Sequence, residues 1–329
     1  MLRYDVKSSA PFIWDMHGCP SRTYGNDLTS TLERYRRAGF DSVTVNVADA
    51  DYRLEDAITT IASFRKQIDD HPDRYILVDT TRDLYAARPS GRLAVSFDVE
   101  GVVSIGESLD LVDLYYDLGV KWIGFVYNRS NLAGFGCHDE RDGGLTPFGR
   151  RLVDRMEKAG VIKCCSHAGY RTALDVFAAG SKPSILSHSN PRGLVDHERN
   201  VPDEVLKACA QTGGVVGISG VSLFLGSKEQ SVRDVFRHLD YAVELIGDAH
   251  VGIALDAVFP RPEGEETDFV QGTRPDLWPP DMGYPATFLF PEILGELAAL
   301  MHEAGYPASA MSRILGGNFA RVAAECWRD

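Results

Sequence analysis

The chain has 329 residues, 44% of them hydrophobic, enough to bury one large core. A set of 47 acidic against 34 basic residues gives a net charge of −13, which repels phosphate backbones and anionic lipid surfaces, so neither nucleic acid nor a membrane is an expected partner. The polar stretch Met1–Ala10 does not read as a signal peptide, no run approaches ~20 uninterrupted apolar residues, and the six scattered cysteines read as reduced thiols, all of which fits a cytoplasmic protein.

In chain order, eight apolar, β-branched runs alternate with helical patterns: Pro11–Met16, Ser42–Val47, Leu93–Val99, Trp122–Val126, Val161–Ser166, Ser184–Ser187, Val215–Ser219 and Val251–Leu255. That alternation implies a parallel sheet with crossover helices, and eight such units predict a single (β/α)8 TIM barrel, an α/β fold spanning 1–329 as one domain. Leu28, Leu32, Tyr35 and Ala38 recur at helical spacing before Gly39; Pro147 opens a helix closed by Gly160, and Pro202 opens Asp203–Gln211. After the eighth strand, Ala257–Pro285 carries six prolines and is expected to be a long loop over the barrel mouth, a substrate lid. C-terminal helices follow over Phe288–Ala304, Ala308–Ile314 and from Asn318 toward Cys326.

Four side chains able to ligate a metal stand where predicted strands stop: His17, Glu100, His167 and His188. A barrel enzyme builds its site from strand C-terminal ends, so this placement points to a metal site. His17 and Cys19 share one face of an extended chain, although that pentapeptide alone fits a buried histidine and a free thiol equally well. Glu100 is a carboxylate able to bridge two cations; taken singly it reads as a solvated charge at a strand end. His167 and His188 repeat one Ser-His ending on consecutive strands, an arrangement suited to zinc. Asp256 ends the eighth strand, where it can relay a proton from an activated water, or simply cap the loop.

With these residues in place, the chain resembles the renal (membrane) dipeptidases, zinc metallopeptidases of the amidohydrolase superfamily. The resemblance rests on Gly144-Leu145-Thr146-Pro147-Phe148-Gly149, Ser187-His188-Ser189-Asn190-Pro191-Arg192, Asp196 through Asp203, and Gly316 through Val322. It implies a (β/α)8 barrel with one or two zinc ions, Glu100 bridging them, His167 and His188 completing one position and His17 serving the other. It further implies Asp256 as proton shuttle, Arg192 as the receiver of a substrate carboxylate, and a homodimer. Two positions depart from the family pattern: Cys19 stands where the family has an aspartate ligand, and Tyr127 where it has a histidine near the reacting carbonyl. A thiolate favours zinc over magnesium or calcium, and a tyrosine hydroxyl can still donate to an oxyanion. The expected function is a zinc-dependent hydrolase cleaving a dipeptide or N-acyl amino acid. The alternatives are a metal-poor binding protein on the same barrel and a hydrolase of lactones or cyclic amides.

Overall fold

The computed structural model describes residues 11–20, 27–259, 276–278 and 286–328. Its strands are β1 (Trp14–Cys19), β2 (Ser42–Ala48), β3 (Tyr75–Leu77), β4 (Leu93–Val99), β5 (Val120–Gly124), β6 (Ile162–Cys164), β7 (Ser184–Ile185), β8 (Val216–Ile218), β9 (Val251–Ile253) and β10 (Ala257–Val258). Eight of them form a parallel sheet in the order β7-β6-β5-β4-β2-β1-β9-β8, and the Leu186↔Val216 bridge brings the two ends together. The result is a nearly closed (β/α)8 barrel with helices between the strands, as the alternating pattern predicts. At the joint Gly217 donates to Leu186 O at 2.8 Å, and a Cβ on Gly217 would lie 2.0 Å from Ser187 O. Only a residue without a side chain lets the last strand approach this closely.

The helices form where composition places them. Asp27 caps Leu28–Ala38 by accepting from Thr29 N at 2.9 Å, and Gly39 ends it at φ 95°. Thr146 caps Pro147–Ala159 through Gly149 N at 3.0 Å, and Gly160 closes it at φ 81°. These helices bury one face on the barrel through Leu32 and Tyr35, and through Leu152, Val153 and Met156. Inside the barrel, Trp14 and Trp122 are fully buried; the first indole donates to Thr44 Oγ1 at 3.1 Å and the second to Met16 O at 3.2 Å. The Trp122 ring lies 5.4 Å from that of His17 and 6.2 Å from that of His188, so it forms a floor under the rim.

Two expectations need adjustment. A short strand at Tyr75–Leu77 pairs with β4 outside the barrel path, too brief to leave a pattern in the sequence. The segment after the last barrel strand does not begin as loop, because Ala257–Val258 pairs with β1. Of the expected lid, residues 260–275 and 279–285 lie outside the described residues, while Leu277 and Trp278 are buried against Val221, Leu223 and Phe224. All six cysteines are free, and among the described residues no helix is long and apolar enough to cross a membrane.

Candidate metal centre

The rim of the barrel gathers side chains that are hundreds of positions apart in the chain. Three imidazole Nε2 atoms face one carboxylate oxygen, Glu100 Oε1: His167 at 2.9 Å, His188 at 3.2 Å and His17 at 3.6 Å. His167 Nε2 and His188 Nε2 are 2.8 Å apart. On the other side of Glu100, Cys19 Sγ lies 3.3 Å from His17 Nε2 and 3.8 Å from Asp256 Oδ1. Asp256 Oδ1 is itself 3.6 Å from His17 Nε2. The ligand atoms fall into overlapping triads, His17–Cys19–Glu100 and Glu100–His167–His188, with Glu100 common to both. A third grouping joins His17, His188 and Asp256.

Each imidazole is held from behind. His17 Nδ1 lies 3.1 Å from Asp98 Oδ2, His167 Nδ1 2.6 Å from Asn128 Oδ1, and His188 Nδ1 2.9 Å from Ser187 Oγ. With the Nδ1 proton committed to these acceptors, the Nε2 atoms of His167 and His188 present their lone pairs to the shared centre, and His17 Nε2 does so once its second proton is displaced. Asn46 Nδ2 ties the backing to the ligand set, donating to Asp98 Oδ1 at 2.8 Å and to Glu100 Oε2 at 3.2 Å. Asp15, two residues before His17, accepts from the backbone of both His17 and Leu255 at 3.1 Å and from the Tyr35 hydroxyl at 3.1 Å. Through these bonds the start of the barrel fixes its end, and Asp256 N donates to His17 O at 3.0 Å.

Backbone strain is concentrated here. Among the described residues the non-glycine positions with positive φ are Asn128 at 56°, His167 at 68° and Asp256 at 57°. Left-handed backbone in such residues persists only where surrounding contacts over-determine it, and it turns each side chain from its strand into the rim. Asn128 is clamped further by Gly136, where a Cβ would sit 2.0 Å from Asn128 C.

The electrostatics suit a cation. Burial pushes the Glu100 carboxyl up to about 8, with Asp256 and Asp98 adding to the effect and His17 opposing it. Burial likewise raises Asp256 and pushes the Cys19 thiol up to about 12. Burial holds His167 and His188 well below the usual imidazole range, neutral and ready to ligate, with Arg199 and His17 adding to it. His17 goes the other way: burial works to lower it, and its acidic neighbours Cys19, Asp98 and Glu100, with the hydrogen bond to Asp98, override burial. Crowded buried acids next to neutral imidazoles are relieved by a bound cation, which favours the ionised carboxylate. The spacing also fits. Two ligand atoms each ~2.0–2.1 Å from one zinc stand no more than ~4.2 Å apart, and ~4.4 Å when one is sulfur. Every ligand-to-ligand separation within the two Glu100 triads quoted above meets that bound.

Tyr127 stacks on His167 at a ring distance of 4.3 Å, and Trp278 packs edge-on against both at 6.1 and 6.4 Å. His17, Cys19, Glu100, His167, His188, Asp256 and Tyr127 are thus brought together. Arg192 does not join them. Its side chain is 42% exposed with Nε on Asp196 Oδ1 at 2.7 Å, at the edge of a cavity of about 260 Å3 also lined by His167 and Arg199. The guanidinium that reaches the centre belongs to Arg199, 2% exposed, with Nη2 3.3 Å from His167 Nε2 and 3.2 Å from His188 O. Its Nε has no hydrogen-bond partner among the described residues. The physical reason lies in the loop: Pro191 pairs with Val201, so the chain doubles back and carries Arg199 inward while Arg192 stays at the outer turn. Asp98 shares a strand face with Glu100 by i, i+2 alternation, the one signal that places it at the rim, and Arg199 lies within the stretch Asp196–Asp203 with no local pattern that turns it inward.

Barrel, rim and ligand set define the class: a (β/α)8 barrel built to hold a cation at the C-terminal ends of its strands. The sequence profile of the membrane dipeptidase family (peptidase family M19) matches residues 21–264, and the chain belongs to that family. A protein of Schizosaccharomyces pombe named as an uncharacterized dipeptidase is 30% identical over 211 residues, 62% of this chain and 51% of that protein. Dipeptidase verJ of Clonostachys rogersoniana is 30% identical over 213 residues, 64% of this chain and 55% of that protein. The chain therefore spans about half the length of the curated relatives it matches. Among solved structures, an amidohydrolase from Pseudomonas aeruginosa superposes with a TM-score of 0.87 at 26% identity, covering 97% of each chain. A Rhodobacter sphaeroides metallopeptidase, liganded with a phosphinate mimic of the dipeptide L-Ala-D-Ala, shares the fold with a TM-score of 0.77 at 21% identity, covering 97% of this chain and all of that one.

Proposed function

We propose that the protein is a zinc-dependent dipeptidase that cleaves the amide bond of a dipeptide or an N-acyl amino acid. The observation that carries this reading is the convergence of three Nε2 atoms on Glu100 Oε1, with Cys19 and Asp256 on the far side. His17, Cys19 and Glu100 would hold one ion, and Glu100, His167 and His188 a second. When bound, the metal supplies Lewis acidity that makes a water acidic near neutral pH and polarises a carbonyl.

The remaining work falls to the chain's own groups. Asp256, buried and left-handed at the rim, takes the proton of the attacking water on a carboxylate oxygen and delivers it to the departing amine. Its Oδ2 lies 3.5 Å from Ser219 Oγ, which limits its swing. The Tyr127 hydroxyl, on a ring fixed between His167 and Trp278, donates to the oxygen that gains charge as the carbonyl becomes tetrahedral. Arg199, rather than Arg192, receives the substrate's carboxylate: its guanidinium reaches His167 Nε2 at 3.3 Å and lines the same cavity as His167. Relatives named as dipeptidases and the dipeptide mimic bound to the Rhodobacter protein support this substrate class.

The test is hydrolysis of a dipeptide panel by zinc-loaded protein, comparing wild type with Asp256→Asn. The variant is expected to keep its zinc and lose at least about a hundredfold in kcat. Unchanged rates remove Asp256 from the mechanism, and inert wild-type protein carrying one to two zinc ions overturns the dipeptidase reading.

A further inference from the structure

The two triads share Glu100 and differ in everything else. On one side the donors are a thiol and His17, whose Nδ1 is backed by the Asp98 carboxylate at 3.1 Å, with the Asp256 carboxylate 3.6 Å from His17 Nε2. A dication there meets up to four acidic groups: Cys19, Glu100, Asp98 and Asp256. On the other side both donors are neutral imidazoles backed by neutral groups, the Asn128 amide and the Ser187 hydroxyl. There the nearest permanent charge besides Glu100 is positive, since Arg199 Nη2 lies 3.3 Å from His167 Nε2, the atom that would bind the ion. A guanidinium is a permanent cation, and that of Arg199 is held in place by His188 O at 3.2 Å.

We propose that Arg199 gates the second metal position: it keeps the His167/His188 position weak until a carboxylate pairs with the guanidinium, so that anionic substrate and second metal bind cooperatively. The guanidinium repels a dication at either position even at an effective dielectric near 20, and more strongly at the His167/His188 position, whose His167 Nε2 lies 3.3 Å from Nη2. A carboxylate in the cavity that Arg199 and His167 line, paired with the guanidinium, cancels the charge locally. By linkage, whatever factor the anion adds to metal affinity, the metal adds to anion affinity. The coupling to substrate rests on the proposed role of Arg199 in holding a substrate's carboxylate; the inequality of the two positions rests on the geometry alone.

Zinc titration of the metal-free full chain, followed by competition with a chromophoric chelator, reads both constants without turnover. N-acetylalanine serves as the anion probe because it carries a carboxylate without a chelating amine. The expected result is one tight equivalent and a second at least about a hundredfold weaker, with the second tightened at least about tenfold by saturating N-acetylalanine. Arg199→Gln is expected to tighten the second equivalent without any anion and to abolish the N-acetylalanine effect. Cys19→Ser is expected to weaken the first equivalent alone. Two equal constants overturn the proposal, as does failure to bind a second ion in the presence of the anion, or an anion effect that survives Arg199→Gln. The wild-type measurement stands by itself if Arg199→Gln does not fold. Dipeptide hydrolysis is assayed separately: unequal, anion-coupled constants in a protein inert toward dipeptides uphold the gate and refute only the substrate assignment.

Discussion

Replacing Asp98 by Asn tests whether the backing of the imidazoles sets metal affinity. The substitution is nearly isosteric, and Asp98 is fully buried, with Oδ2 3.1 Å from His17 Nδ1 and Oδ1 accepting from Asn46 at 2.8 Å. Hydrogen bonds to a charged acceptor contribute ~1.5–3 kcal/mol and neutral ones ~0.5–1.5 kcal/mol, so loss of the carboxylate charge costs about 1–2 kcal/mol. That corresponds to roughly 5–30-fold in affinity, near the range typical of groups that back a metal ligand. The new amide cannot serve both neighbours. If its oxygen faces His17, its NH2 faces the Asn46 NH2, and turning Asn46 over breaks the bond to Glu100 Oε2 at 3.2 Å. The tight zinc constant, measured against a chelator, should weaken by about 10–100-fold, more than the weak constant. Equal weakening of both constants, or a change below about twofold in the tight one, refutes the argument.

Cys19→Asp replaces the soft sulfur by a hard oxygen, and the ratio of zinc to manganese affinity at the tight position should fall at least about tenfold; an unchanged ratio removes Cys19 from the ligand set. Lys121 is 1% exposed, with Nζ on Asp79 O at 3.0 Å and 3.7 Å from the Tyr116 ring centre, and burial lowers it to about 8. Its folded value lies below its unfolded one, so the folded state releases its proton first and wild-type stability gains from this group as pH rises from about 8 to about 10.4, by order of 3 kcal/mol. Urea midpoints for Lys121→Met should lack that part of the rise, and an identical pH slope in the variant contradicts it. Gly217→Ala forces a Cβ to within 2.0 Å of Ser187 O where the barrel joins, and the denaturation midpoint should drop by the equivalent of about 3 kcal/mol or more; a near-neutral result means the strands can part at low cost.

The sequence by itself determined the barrel and most of its rim. Eight apolar runs alternating with capped helices leave few topologies open, and in a parallel barrel all strand C-terminal ends face one way. His17, Glu100, His167, His188 and Asp256 therefore had to share a rim, whatever lay between them in the chain. Only the tertiary structure decided how those side chains are aimed. The left-handed backbone at Asn128, His167 and Asp256 falls on residue types that tolerate it better than most, but among the described residues the many other Asn, Asp and His do not adopt it, and it exists here because neighbouring strands hold it. That Arg199 lies against His167 while Arg192 pairs with Asp196 likewise follows from the loop doubling back at Pro191 and Val201, a pairing between positions whose local sequence does not announce it. Periodicity is a local property that a chain displays residue by residue, whereas the direction of a buried charge depends on contacts that exist only once distant segments have packed.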